Sequence, residues 1–151
     1  MSGSFTTTRA APSEERAGTL PTLPSLSGLP KTWLIDVDGV IFPHNGYLDS
    51  ASETPLPGVL DFFRELPDGH EVVLLSARTE RYRKQTEDQL GRWGIRYTAL
   101  LLGLPVGERI LINDEKPRGL RTAWAVSVAR DAGIPSALVW EHNAHGSECG
   151  P

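Results

Sequence analysis

The stretch Trp33 to Ile41, WLIDVDGVI, decides how the chain folds. Trp33, Leu34 and Ile35 form an apolar run of the kind that makes a buried strand. It ends in two carboxylates, Asp36 and Asp38, with Gly39 directly behind as a turn residue. A strand that delivers two acids to its carboxyl end places them in the crevice where open α/β sheets bind ligands. Two carboxylates are costly to bury unpaired, so a hard cation with oxygen ligands, Mg²⁺, is their natural partner.

Outward from this strand the pattern alternates. Residues 1–30 are rich in Ser, Thr, Pro and Gly without a hydrophobic period and read as a disordered tail. The first strand covers about Thr32 to Val37. Residues 42–57 carry four prolines and glycines with Asn45 and Asp49, the chemistry of a long loop that would lie over the acids as a flap. Pro57 opens a helix bearing Val59, Leu60, Phe63 and Leu66, which Pro67, Asp68 and Gly69 end. Glu71 to Leu75, EVVLL, is a second strand. Tyr82, Thr86, Leu90 and Trp93 trace one face of a helix that Gly94 closes. Tyr97 to Leu102 and Arg109 to Asn113, RILIN, read as strands three and four. Pro117 opens a further helix with Leu120, Ala123, Trp124 and Ser127 on one face, and Ala137 to Trp140 is a last strand. Strands alternating with helices predict an α/β fold, a mainly parallel sheet covered on both faces. The expected organisation is a tail at 1–30, one domain at 31–141 and a polar tail at 142–151.

The length of 151 residues suits one domain, and no apolar run approaches the roughly 20 residues of a membrane helix. A single cysteine, Cys149, and no apolar leader segment point to the cytoplasm. The net charge of −4 argues against extended binding along nucleic acid. The cations between Arg78 and Arg96 are interrupted by acids and read as a solvated helix face, with Arg78 the exception.

In a parallel sheet, Asp36 and Asp38, Ser76, and Asn113 and Asp114 all stand at strand ends on the same side. That convergence suits a phosphate monoester. Asp36 would attack phosphorus, Asp38 would exchange the proton, and Ser76 with a lysine would hold the phosphoryl oxygens. Mg²⁺ between Asp36 and Asp114 would neutralise the transferring group. Lys116 lies just beyond Asp114 and just before the helix that Pro117 opens, so its side chain starts on the active side of the sheet, and it is the candidate phosphate-binding cation, with Arg78 close enough to share the role. Arg109 opens the fourth strand and is expected at its far end, roughly 13 to 17 Å away for four to five residues at about 3.3 Å each.

From Lys31 to Trp140 the sequence resembles the haloacid dehalogenase superfamily of phosphatases. DVDGV at Asp36 to Val40 is similar to the first motif of that family, LLSAR at Leu74 to Arg78 to its second, and ILINDEKP at Ile110 to Pro117 to its metal-binding fourth. The resemblance implies a Rossmann-like three-layer α/β/α sandwich. Asp36 would be the nucleophile, Asp38 the acid/base and Ser76 the phosphate binder. Mg²⁺ would be held by Asp36, Asp114 and the backbone carbonyl of Asp38. GLP together with ILINDEKP is most similar to small bacterial sugar or capsule phosphatases, which implies a small phosphorylated substrate. The intervals between the motifs leave no room for a separate cap domain, so a homo-oligomer is expected to cover the site if the substrate is small. The alternatives are a polynucleotide or protein phosphatase, a phosphotransferase, or a non-catalytic binding module on the same fold.

Overall fold

The structure, a computed structural model, describes residues 26–49 and 52–136. Most of the expected N-terminal tail, the last strand at Ala137 to Trp140 and the polar tail at 142–151 lie outside the described residues. Among the described residues, no helix is long and apolar enough to cross a membrane.

Three parallel strands form one sheet in the order β1 (Thr32–Asp36), β2 (Glu71–Leu75) and β3 (Ala99–Leu101). The register pairs Trp33 with Val72, Ile35 with Leu74, and Leu74 with Leu100. A short helix α1 (Gly46–Asp49) and a longer α2 (Val59–Glu65) connect β1 to β2, and α3 (Arg83–Arg92) connects β2 to β3. This is a small α/β unit of Rossmann-like type. β2 has the bounds read from EVVLL, whereas β1 ends one residue early and β3 keeps only the middle of its expected span.

Strand order and handedness fix where the helices lie. With right-handed crossovers and strands added in one direction, α2 and α3 fall on the same face of the sheet. The side chains agree with this. Trp33, Ile35, Val72, Leu74 and Leu100 share one face by register and alternation, and Trp33 meets Phe62 of α2 edge to face at 5.1 Å. Leu90 of α3 joins the same core. The opposite face carries Leu34, 48% exposed, and Leu101, 46% exposed. Among the described residues the helices therefore cover one face, where the sequence led us to expect both.

The reason lies in residues 105–136, where the expected fourth strand and its helix do not form. Ile110 and Ile112 of RILIN are 81% and 91% exposed, so the run has strand composition but no pairing partner. Pro117 opens a turn instead of a helix. Gly119, at φ 79, donates to the Lys116 carbonyl at 2.8 Å, and this left-handed residue ends any helical course. The segment is fastened at both ends. Gly103 and Leu104 donate to the carbonyls of Arg78 and Ser76. At the other end Ile134 donates to the Pro57 carbonyl at 3.0 Å. There Gly58 and Gly133 allow the two backbones to meet, because a Cβ at either would fall within about 2.1 Å of a carbonyl oxygen of the other strand of chain.

Candidate active site

The site forms where β1 and β2 end. Asp36 closes β1, and Val37 still donates to the Leu75 carbonyl, so the chain leaves the sheet only at Asp38. Gly39, at φ 88, turns it back, and Ile41 and Phe42 donate to the Val37 carbonyl. The result is a tight loop, buried at Val37, Ile41 and Phe42, that presents the two aspartates on fixed backbone. A pocket of about 690 Å³ opens over it, lined by Asp36, Asp38, His44, Tyr47, Arg78, Arg109 and Arg130 among others.

The two aspartates have different surroundings. Asp38 is held by two side chains, of which the Ser76 hydroxyl donates to its Oδ2 at 2.8 Å. Arg78 Nε reaches Oδ1 at 3.0 Å and Oδ2 at 3.1 Å, and Nη2 lies 2.9 Å from Oδ1. Only 14% of the Asp38 side chain is exposed. Asp36 is 41% exposed at the pocket wall, and among the described residues its one ion pair is a loose one, with Arg109 Nη2 at 3.7 Å. Burial pushes the Asp36 carboxyl above its ordinary range, against the lowering effect of Arg109.

Arg78 is the anchor of the site. It is fully buried, and its remaining donors go to Glu53, Nη1 to Oε2 and Nη2 to Oε1, both at 2.9 Å. Thr86 accepts from Nη1 at 3.3 Å, and Tyr47 lies under the guanidinium at 4.3 Å. Burial works against the charge of Arg78, but the bonds to Asp38 and Glu53 outweigh it and hold the group above its ordinary value. The other cations of the 78–96 stretch behave as a solvated face. Arg83 pairs with Glu80 and Glu87, and Lys84 with Asp88.

The structure thus brings Asp36, Asp38, Ser76 and Arg78 together. It places Asp114 and Lys116 elsewhere, as an exposed pair with Nζ 3.1 Å from Oδ2, and neither lines the pocket. Arg109 is the correction. Expected at the far end of a fourth strand, it stands against Asp36, because that strand does not form and the chain carries Arg109 back to the mouth of the site. Ser76 is not open to a ligand either, since its hydroxyl donates to Asp38 and accepts from the Arg78 backbone N–H at 2.9 Å.

Glu53 was not legible. A lone acid in a loop of Ser, Thr and Pro carries no periodicity, and only the length of that loop beside the aspartates points to it.

This donor set does not fit Mg²⁺ as the motifs draw it. The described residues contain no group of three His, Cys, Asp or Glu side chains placed to hold a metal ion. Asp38 lines the pocket but is committed to Arg78, Asp114 pairs with Lys116 away from it, and Asp36 is the carboxylate on the pocket wall with only the loose contact to Arg109.

Comparison with protein families and with curated proteins finds no match. Among solved structures, the chain is similar to one in "Structure of Pnkp1/Rnl/Hen1 complex", with 28% identity and a TM-score of 0.43 over 63% of this chain and 35% of that one. A second, in "Structure of the Pnkp1/Rnl/Hen1 RNA repair complex", has 29% identity and a TM-score of 0.42 over 59% of this chain and 30% of that one. The chain spans about a third of the length of either, and at TM-scores below 0.5 neither likeness bears on what it does.

Proposed function

We propose that this chain is a phosphatase of the haloacid dehalogenase type, acting on the phosphate monoester of a small metabolite with Asp36 as the phosphoryl acceptor. The observation that carries the reading is the contrast between two carboxylates two residues apart. Asp36 is open to the pocket, and Asp38 beside it is fixed by a guanidinium and a hydroxyl. A nucleophile has to be reached by phosphorus, and an acid/base has to be aimed.

In this reading an Asp36 oxygen attacks phosphorus while the bond from phosphorus to the alcohol oxygen breaks. Asp38 gives the leaving oxygen its proton. Water then attacks the aspartyl-phosphate, Asp38 takes the proton back, and phosphate leaves with the Asp36 carboxylate restored. Arg109, at 3.7 Å from Asp36, would meet the charge that gathers on the phosphoryl oxygens and takes the part expected of Lys116. The pocket volume lies within the range of about 300–1,000 Å³ usual for small-molecule sites. The three-layer, capless architecture belongs to the same reading, with residues 105–136 as the part that would complete it.

The test is turnover of phosphate monoesters by the Asp36→Asn variant, which keeps the shape and loses the attacking charge. Activity should vanish while circular dichroism stays that of the parent. Retained activity overturns the reading. Chelation is a separate arm. A rate lost with EDTA and restored by Mg²⁺ brings Asp114 into the working site, and an unchanged rate leaves the positive charge to Arg109.

A further inference from the structure

We infer that Glu53 is a positioning residue for the chemistry at Asp38, acting through Arg78; the inference rests on the phosphatase reading above. Glu53 belongs to the loop between β1 and α2, yet its side chain is only 1% exposed and both carboxylate oxygens accept from Arg78 at 2.9 Å. The same guanidinium serves Asp38 through Nε and Nη2. A guanidinium is planar and its donors form a rigid fork, so two carboxylates on two edges of one plane cannot move independently. Tyr47 below the plane blocks one direction of tilt.

Stability does not explain an acid at this position. Taking charges out of water offsets most of what their attraction returns, and an apolar group of similar size often serves a core as well or better. Specific placement does explain it. The Glu53 backbone is tied to the helix behind it, its N–H donating to Gln89 Oε1 at 3.2 Å and its carbonyl accepting from Trp93 Nε1 at 2.8 Å. Gln89 lies on α3 and Trp93 is its C-terminal cap. The order of control runs from α3 to Glu53, to Arg78, to Asp38. Ser76 fixes the other side of Asp38 from the end of β2. Glu53 does not line the pocket, so its effect must travel through Arg78.

The experiment uses two aryl phosphates of similar shape, para-nitrophenyl phosphate and phenyl phosphate. The first has a good leaving group that hardly needs a proton, and the second has a poor one that does. In Glu53→Gln the shape is kept, but one Arg78 donor faces an amide instead of a carboxylate oxygen. We expect kcat on phenyl phosphate to fall about tenfold or more, within the range for a misplaced general acid. On para-nitrophenyl phosphate it should fall about twofold or less, with KM nearly unchanged on both. Asp38→Asn should show the same ester dependence, and adding Glu53→Gln to it should change little. A merely structural role would lower both rates alike, and that result overturns the inference while the phosphatase reading stands. A parent protein that hydrolyses neither ester overturns the reading and the inference with it. If Glu53→Gln does not fold by circular dichroism, Glu53→Asp carries the same comparison, because it keeps the charge on Arg78 and shortens its reach.

Discussion

Residues 32–104 and residues 105–136 have similar apolar content in their strand-like runs and opposite fates. In the first region EVVLL pairs on both sides, and Val72 and Leu74 are buried. In the second, RILIN pairs with nothing among the described residues, and Ile110 and Ile112 face solvent. Strand composition says that a segment fits a pleated, half-buried surface, but the surface has to be supplied by other parts of the chain. β1 and β2 supply each other's, and α2 and α3 seal one face, whereas residues 105–136 add no strand to the sheet and leave Leu34 and Leu101 about half exposed.

The largest expected difference between the regions is in stability. Phe62 is buried against Trp33 and Phe63, with ring centroids at 5.1 and 5.3 Å, so Phe62→Ala should cost about 3–5 kcal/mol in urea unfolding. Ile112→Ala should cost no more than about 0.5 kcal/mol, the usual scale of an exposed substitution. A cost above about 2 kcal/mol at Ile112, the scale of a buried aliphatic side chain, would show that RILIN is packed in solution.

Next in size is an effect on rate. Arg109 and Lys116 belong to the same irregular segment, but only Arg109 reaches the site. Arg109→Ala should lower kcat/KM by about 10²–10³, as when one preorganised contact to a developing oxyanion is lost, and Lys116→Ala should change it little. Steady-state kinetics of the two variants decide the matter, and the opposite ranking would bring the segment from Arg109 to Lys116 into the sheet.

What was legible in the sequence follows the same division. The bounds of β2, the placing of Asp36 and Asp38 at a strand end and the face of α3 through Thr86 and Leu90 could all be read from local pattern, because neighbours in space are also neighbours in pattern. Arg78 could be singled out from its mixed-charge stretch, but its partner Glu53, 25 residues away, could not. The position of Arg109 cannot be read from the sequence, because it depends on a strand whose partner the composition does not specify.

The smallest expected effect is a pH dependence within the ordered region. Trp33 Nε1 donates to His70 Nδ1 at 3.1 Å, a bond that needs that nitrogen unprotonated. Burial first, then Lys31 and Arg96, holds the imidazole below its ordinary 6.5. A folded value lower than the unfolded one means that folding favours the neutral ring. Its contribution is complete above about 6.5 and is lost as the pH falls through the folded value. The urea midpoint should therefore fall modestly from pH 7 towards pH 5, and His70→Gln should remove that part of the slope. A slope unchanged in the variant would assign it to other groups.

If Asp36 is the phosphoryl acceptor, turnover passes through a covalent aspartyl-phosphate that can be trapped. The protein is mixed with radiolabelled para-nitrophenyl phosphate, quenched in acid within the first turnover and digested to map the label. Hydroxylamine-labile label is expected on the peptide that contains Asp36, and none in Asp36→Asn. Turnover by the parent protein with no label on that peptide at any time, together with an active Asp36→Asn variant, would contradict that role for Asp36.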